Sequence, residues 1–156
     1  MAVEHWVSGS GVGLTWTACF GAEINSLTST DAVQSSIPIT NGTALDIFMD
    51  ISAALGSITS GSGAPYIGFY LYPLNQDAST YGDGRFASAA AGPPPSTYFI
   101  GSVALIPSVT QAQEGSLTGI TIPPGTFLLV AYNLSGANLA ASSNAIKYRT
   151  YNRSVV

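Results

Sequence analysis

Charge is what this sequence has least of. Lys and Arg together number 4 and Asp and Glu 8 in 156 residues, so charged residues make up 8% of the chain, where a soluble domain averages roughly 25%. A surface so short of charge has little protection against self-association, which implies an exterior built of Ser, Thr, Gly and Asn or one meant to lie against other chains. The balance is acidic, −4 at neutral pH, which argues against nucleic acid or an anionic membrane surface as the main partner. Cysteine occurs once, at Cys19, so neither an intrachain disulfide nor a cysteine zinc cluster can form. No apolar run approaches the roughly 18 residues that a spanning helix needs. The start, Met1-Ala2-Val3-Glu4-His5-Trp6, has no basic region followed by an apolar segment, so the expectation is no export signal and synthesis in a cytoplasm. The sequons at Asn41, Asn133 and Asn152 are then chance matches in a Ser/Thr-rich chain.

Groups able to attack or to move protons are equally scarce. His5 is the one histidine and sits beside Trp6 near the terminus. Cys19, between Ala18 and Phe20, reads as a small core residue, because free Cys is among the most buried residue types. Asp46 and Asp50 fall on one strand face about 13 Å apart by the rise per residue, too far for a glycosidase carboxylate pair. Their expected role is to pair with Lys147 or Arg149 across neighbouring strands. Gly82-Asp83-Gly84 offers one carboxylate, far short of a calcium cage, and reads as a turn. The glycines at 9, 11 and 13 and at 61 and 63 lack the strand and helix context of a phosphate-binding loop. Neither a cofactor nor a metal is expected.

What is present is strand pattern. At 120–134, a Pro123-Pro124-Gly125 corner feeds Phe127-Leu128-Leu129-Val130-Ala131-Tyr132, the longest uninterrupted apolar run. It is strand-sized and apolar on both sides, so it needs a packed sheet on one face and another layer or a partner chain on the other. Alternation with period two recurs elsewhere. Leu14, Trp16, Ala18 and Phe20 are expected to point one way, with Thr15, Thr17 and Cys19 opposite. After the Asn41-Gly42 turn, Leu45, Ile47, Met49 and Ile51 form one face and Asp46, Phe48 and Asp50 the other. In the next strand Ile67, Phe69 and Leu71 point inward, and Tyr66, Tyr70 and Tyr72 form an outward row, either a contact surface or a cover for neighbouring loops. Strand character resumes at 98–106 and 117–122. In the closing strand Lys147, Arg149, Tyr151 and Arg153 oppose Ile146, Tyr148 and Thr150. Residues 25–36 read as a loop or short ladder, with a short helix as the alternative, and 57–63 as a Ser/Gly loop.

Seven to nine strands at spacings near a dozen residues, with no amphipathic helix, repeat or heptad, predict one all-β domain over 1–156: an antiparallel two-sheet sandwich of jelly-roll type. Residues 1–13 read as a flexible N-terminal arm. Residues 73–97 lack periodicity, and a loop of that length is usually functional or interface-forming. The expected interface comprises Tyr66, Tyr70, Tyr72, Tyr81, Asp83, Arg85, Phe86, Pro93, Pro94, Pro95, Lys147, Arg149 and Arg153.

Between Tyr70 and Arg153 the sequence resembles small structural proteins of tailed-bacteriophage virions. The segments that carry the resemblance are Tyr72-Pro73-Leu74-Asn75, Tyr81-Gly82-Asp83-Gly84-Arg85-Phe86, Pro93-Pro94-Pro95, Ile122-Pro123-Pro124-Gly125 and Tyr148-Arg149-Thr150-Tyr151-Asn152-Arg153. The resemblance implies a noncatalytic virion protein, an outer capsid decoration or cement subunit. Its partners would be the major capsid protein and copies of itself, as a trimer, and it would be made in the bacterial host cytoplasm. Two alternatives stand beside it: a tail or baseplate sandwich that binds host glycan, and an enzyme gathering His5, Asp83 and Arg85 into a pocket.

Overall fold

The computed structural model describes residues 4–7 and 14–155. Two antiparallel sheets face each other across one core. The first contains β1 (Glu4–Val7), β2 (Thr17–Ala18), β5 (Phe48–Thr59), β9 (Thr110–Thr121) and β11 (Ala145–Val155). The second contains β3 (Asp31–Gln34), β4 (Ile39–Asn41), β6 (Tyr66–Pro73), β7 (Ala90–Ala91), β8 (Phe99–Ala104) and β10 (Gly125–Leu134). The first sheet runs β1-β11-β5-β9, with β2 also on β11; the second runs β7-β3-β10-β6-β8, with β4 also on β10. Each early strand therefore lies beside its mirror-image late one: β2 on β11, β3 on β10, β5 on β9 and β6 on β8. A long hairpin curled into two sheets in this way is a jelly roll.

Alternation explains which residues reach the core. Met49, Ile51, Ala53 and Leu55 of β5, Ile67, Phe69 and Leu71 of β6, Phe127, Leu129 and Ala131 of β10, and Ile146 of β11 meet between the sheets. Cys19 is buried among them, its thiol donating to the Ile146 carbonyl. The other face of β10 is covered too. Val130 and Tyr132 join Tyr70, Tyr72, Ala32 and Phe86 in a second apolar cluster on the outside of the second sheet. Its lid is the stretch 73–97, so the additional layer that β10 requires comes from the same chain.

Several expectations are corrected. Part of the expected arm, Glu4–Val7, is a strand paired with β11; residues 1–3 and 8–13 lie outside the described residues. The pattern at 14–20 gives only a two-residue strand, with Ala18 exposed and Cys19 inside, so the expected faces do not hold. Leu45 and Ile47 are exposed, 53% and 52%, because Leu45 turns the chain at φ 49° before the ladder begins at Phe48. Residues 25–36 do hold a short ladder, β3, as one of the two readings had it, but β5 continues to Thr59, into the expected loop. β9 starts at Thr110, seven residues before the expected strand at 117.

Candidate functional site

The expected interface residues fall on opposite outer faces of the sandwich. On the second sheet, Tyr70 and Tyr72 are buried beneath their own chain, and Phe86 is fully enclosed between them and the loop. These three side chains cannot meet a partner, which corrects their assignment as contact residues. Tyr66 and Tyr81 are half-buried, Pro94 is buried, and Asp83, Arg85, Pro93 and Pro95 are exposed.

The Tyr-Gly-Asp-Gly-Arg-Phe segment has a structural explanation. Gly82 sits at φ 54°, where a Cβ would fall 2.2 Å from the Tyr72 ring, so only glycine lets the turn press on that ring. Asp83 Oδ1 accepts from the Arg85 amide, the Arg85 guanidinium donates to the Ala91 carbonyl, and Phe86 plugs the cluster, its ring edge-on to Tyr72. The motif therefore clamps the loop onto the sheet. Burial above all raises the Tyr72 hydroxyl well over its ordinary pKa, and that hydroxyl has no hydrogen-bond partner among the described residues.

Lys147 and Arg149 lie on the outer face of the first sheet. Of Arg153, only the backbone is described, paired with Trp6; the side chains of Arg153 and His5 lie outside the described residues. Arg149 opposes Asp50 in register and pairs with it, Nη2 2.8 Å and Nε 2.9 Å from Oδ2. The Tyr151 hydroxyl (2.8 Å) and the Gly119 amide (2.9 Å) donate to the other oxygen. Burial alone would raise the Asp50 pKa; the hydrogen bonds and the Arg149 charge outweigh it and hold the carboxyl below its usual range. The cross-strand pairing expected from sequence is thus found for Asp50. Asp46 accepts from the Thr150 hydroxyl and from Asn152, whose own Oδ1 accepts from the Ile47 amide.

At one end of the first sheet large apolar side chains stand exposed, and at the other end its outer face is hollow. Trp6, Val7, Leu45 and Ile47 are exposed near Asn152, with Trp6 edge-on to Phe48 and Tyr151. Toward the start of β11, Trp16, Ser52, Ala54, Glu114, Ala145 and Lys147 line a groove of about 230 Å³. Among the described residues, no cluster of three or more His, Cys, Asp or Glu is arranged to hold a metal ion. No helix is long and apolar enough to cross a membrane.

No protein-family model and no curated protein matches the chain. Among solved structures it is similar to the CBM36-1 domain of a multidomain xylanase from the hindgut metagenome of Trinervitermes trinervoides. The match has a TM-score of 0.40 and 9% identity, covering 99% of this chain and 97% of that one.

Sequence reasoning did not find the groove or the exposed apolar end. The alternation at 14–20 groups Trp16 with Leu14, Ala18 and Phe20 on one face, a pattern that the backbone leaves after two residues. Glu114 falls in the half of β9 that has no apolar period. One signal was available: Ser52, Ala54 and Ala145 are small residues at outward positions of two long strands, which marks a depression on a sheet face.

Proposed function

We propose that this protein is a noncatalytic structural subunit of a tailed-bacteriophage particle, a decoration or cement protein seated on the outside of the capsid shell as a trimer. The resemblance over residues 70–153 supports the particle. The observation that carries the assembly role is the set of large apolar side chains left exposed at the Asn152 end of the first sheet: Trp6 and Val7 on β1, with Leu45 and Ile47 in the connection that leads into β5. Large apolar side chains exposed on a surface this poor in charge are what a contact between subunits uses. The edge strand β9 adds twelve residues with Glu114 as their one charge, the kind of edge that pairs with another chain.

The test is a double substitution, Leu45→Asp with Ile47→Asp, in the intact chain. Light scattering should show the oligomer reduced to monomer, and particles lacking the protein, or carrying this variant, should lose resistance to heat and low salt. A wild-type chain that is monomeric at all concentrations, together with particles equally robust without it, would remove the proposal. Copies per particle decide the position, with hundreds for a shell and a few to dozens for a tail.

A further inference from the structure

The groove on the first sheet lies at the other end of β11 from the apolar patch. Register places two rows of residues across three strands there. One is Ala145, Ala54 and Glu114; the next is Lys147, Ser52 and Ser116. In each row the middle residue, on β5, is small, and Ala145 and Ser116 keep the margins low, so the sheet itself is the floor. Walls rise where long side chains stand: Lys147 on β11, Glu114 on β9, and Trp16 beyond β11, just before β2.

Trp16 is fixed in place. The Arg149 guanidinium carbon lies 4.7 Å from the centre of its ring, and Arg149 is itself held by the buried Asp50. A cation stacked on one face of the indole, with its own position set by an ion pair, orients the ring before any ligand arrives. Lys147 and Glu114 have no ion pair among the described residues and are exposed. The hollow therefore offers a flat apolar surface, a cationic donor, an anionic acceptor and a hydroxyl above a floor without bulk.

We infer that this groove binds a neutral saccharide, one pyranose unit of a longer chain resting against Trp16 with its hydroxyls shared between Lys147, Glu114 and Ser52. Each property of the site selects for that class. An anion would be repelled by Glu114 and a cation by Lys147, whereas a hydroxyl both donates and accepts and is served by either. A pyranose ring presents an apolar C–H face that fits an indole, and its compact shape matches a hollow below the roughly 300–1,000 Å³ of sites for larger ligands. The margins of the groove are open, so a polymer can continue past the bound unit. The inference does not depend on where a particle would carry the chain.

The experiment titrates the intact protein with maltoheptaose, cellohexaose, xylohexaose and delipidated bacterial lipopolysaccharide, up to about 10 mM for the weak affinities expected of a single subsite. Amide NMR shifts and tryptophan fluorescence are the readouts. At least one sugar should shift Ser52, Ala54, Ala145 and Lys147 together. Trp16→Ala should weaken that sugar about tenfold or more, Trp16→Phe should retain most of the binding, and Ala54→Trp, which fills the hollow, should abolish it. If Trp16→Ala does not fold, Lys147→Ala and Ala54→Trp carry the test. The inference is overturned if no sugar shifts these residues, if the shifts survive Ala54→Trp, or if they depend only on protein concentration, which would mean that a second copy fills the groove. Leu45→Asp with Ile47→Asp should leave sugar binding unchanged, which separates this result from the assembly proposal.

Discussion

Deleting the carboxylate of Asp50 should be among the most damaging single changes to this protein, and the size of the loss follows from its contacts. Asp50 is 2% exposed and accepts from Gly119, Tyr151 and Arg149. In Asp50→Ala all three donors lose their acceptor. Removing one partner of a buried ion pair costs about 3–5 kcal/mol. The Arg149 side chain is 29% exposed, so water can solvate part of the freed charge and the lower end applies, about 3 kcal/mol. For a domain of this size that corresponds to a fall in Tm of roughly 6–12 °C. The pH dependence gives a sharper signature, read by urea denaturation from pH 7 to pH 2. Because the folded-state pKa of Asp50 is depressed, its stabilisation is fully present above the unfolded value of about 3.9 and is lost as pH falls through the folded value. The stability gap between wild type and Asp50→Asn should therefore be flat above about pH 5 and shrink below about pH 4. A loss under about 1 kcal/mol for Asp50→Ala at pH 7, or a gap that stays constant down to pH 2, would refute this account of the network.

Gly82→Ala should lower stability by about 2–4 kcal/mol, since it combines a positive φ with a Cβ forced into the Tyr72 ring. Gly63→Ala, with nothing within 4 Å of the added carbon, should be close to neutral in the same thermal melt. The Cys19 thiol, pushed up to about 12 chiefly by burial, should resist a disulfide reagent at pH 8 in the folded protein and react within seconds in urea; rapid labelling of the native state would contradict its place in the core.

The sandwich was legible because strands buried on one or both faces announce themselves. The alternation of Ile67, Phe69 and Leu71 with tyrosines, and the unbroken run at 127–132, each follow from what their two faces touch. The pairing of Asp50 with Arg149 was legible for a topological reason, since a jelly roll sets an early strand beside a late one. Strands at the margin were not. β9 pairs on one side only, and its first half, Thr-Gln-Ala-Gln-Glu-Gly-Ser, has no apolar period. The loop at 73–97 shows no strand pattern because its anchors, Tyr81, Phe86 and Pro94, are spaced by turns and not by a ladder. No periodicity records that kind of packing. Leu45 and Ile47 are the opposite case: they continue the alternation of Met49 and Ile51, but the positive φ at Leu45 takes them out of the sheet.

The position of β11 has a consequence for how the molecule is made. Synthesised after the other ten strands, it is inserted in the middle of the first sheet, between β5 on one side and β1 and β2 on the other. Until it leaves the ribosome, β5 has only β9 beside it, Asp50 lacks the guanidinium that neutralises it, and one side of the apolar interior stands open to water. The second sheet needs nothing from β11 and can close earlier. A nascent chain halted shortly before residue 145 would therefore carry a finished half and an unfinished half, a state prone to clump with its neighbours.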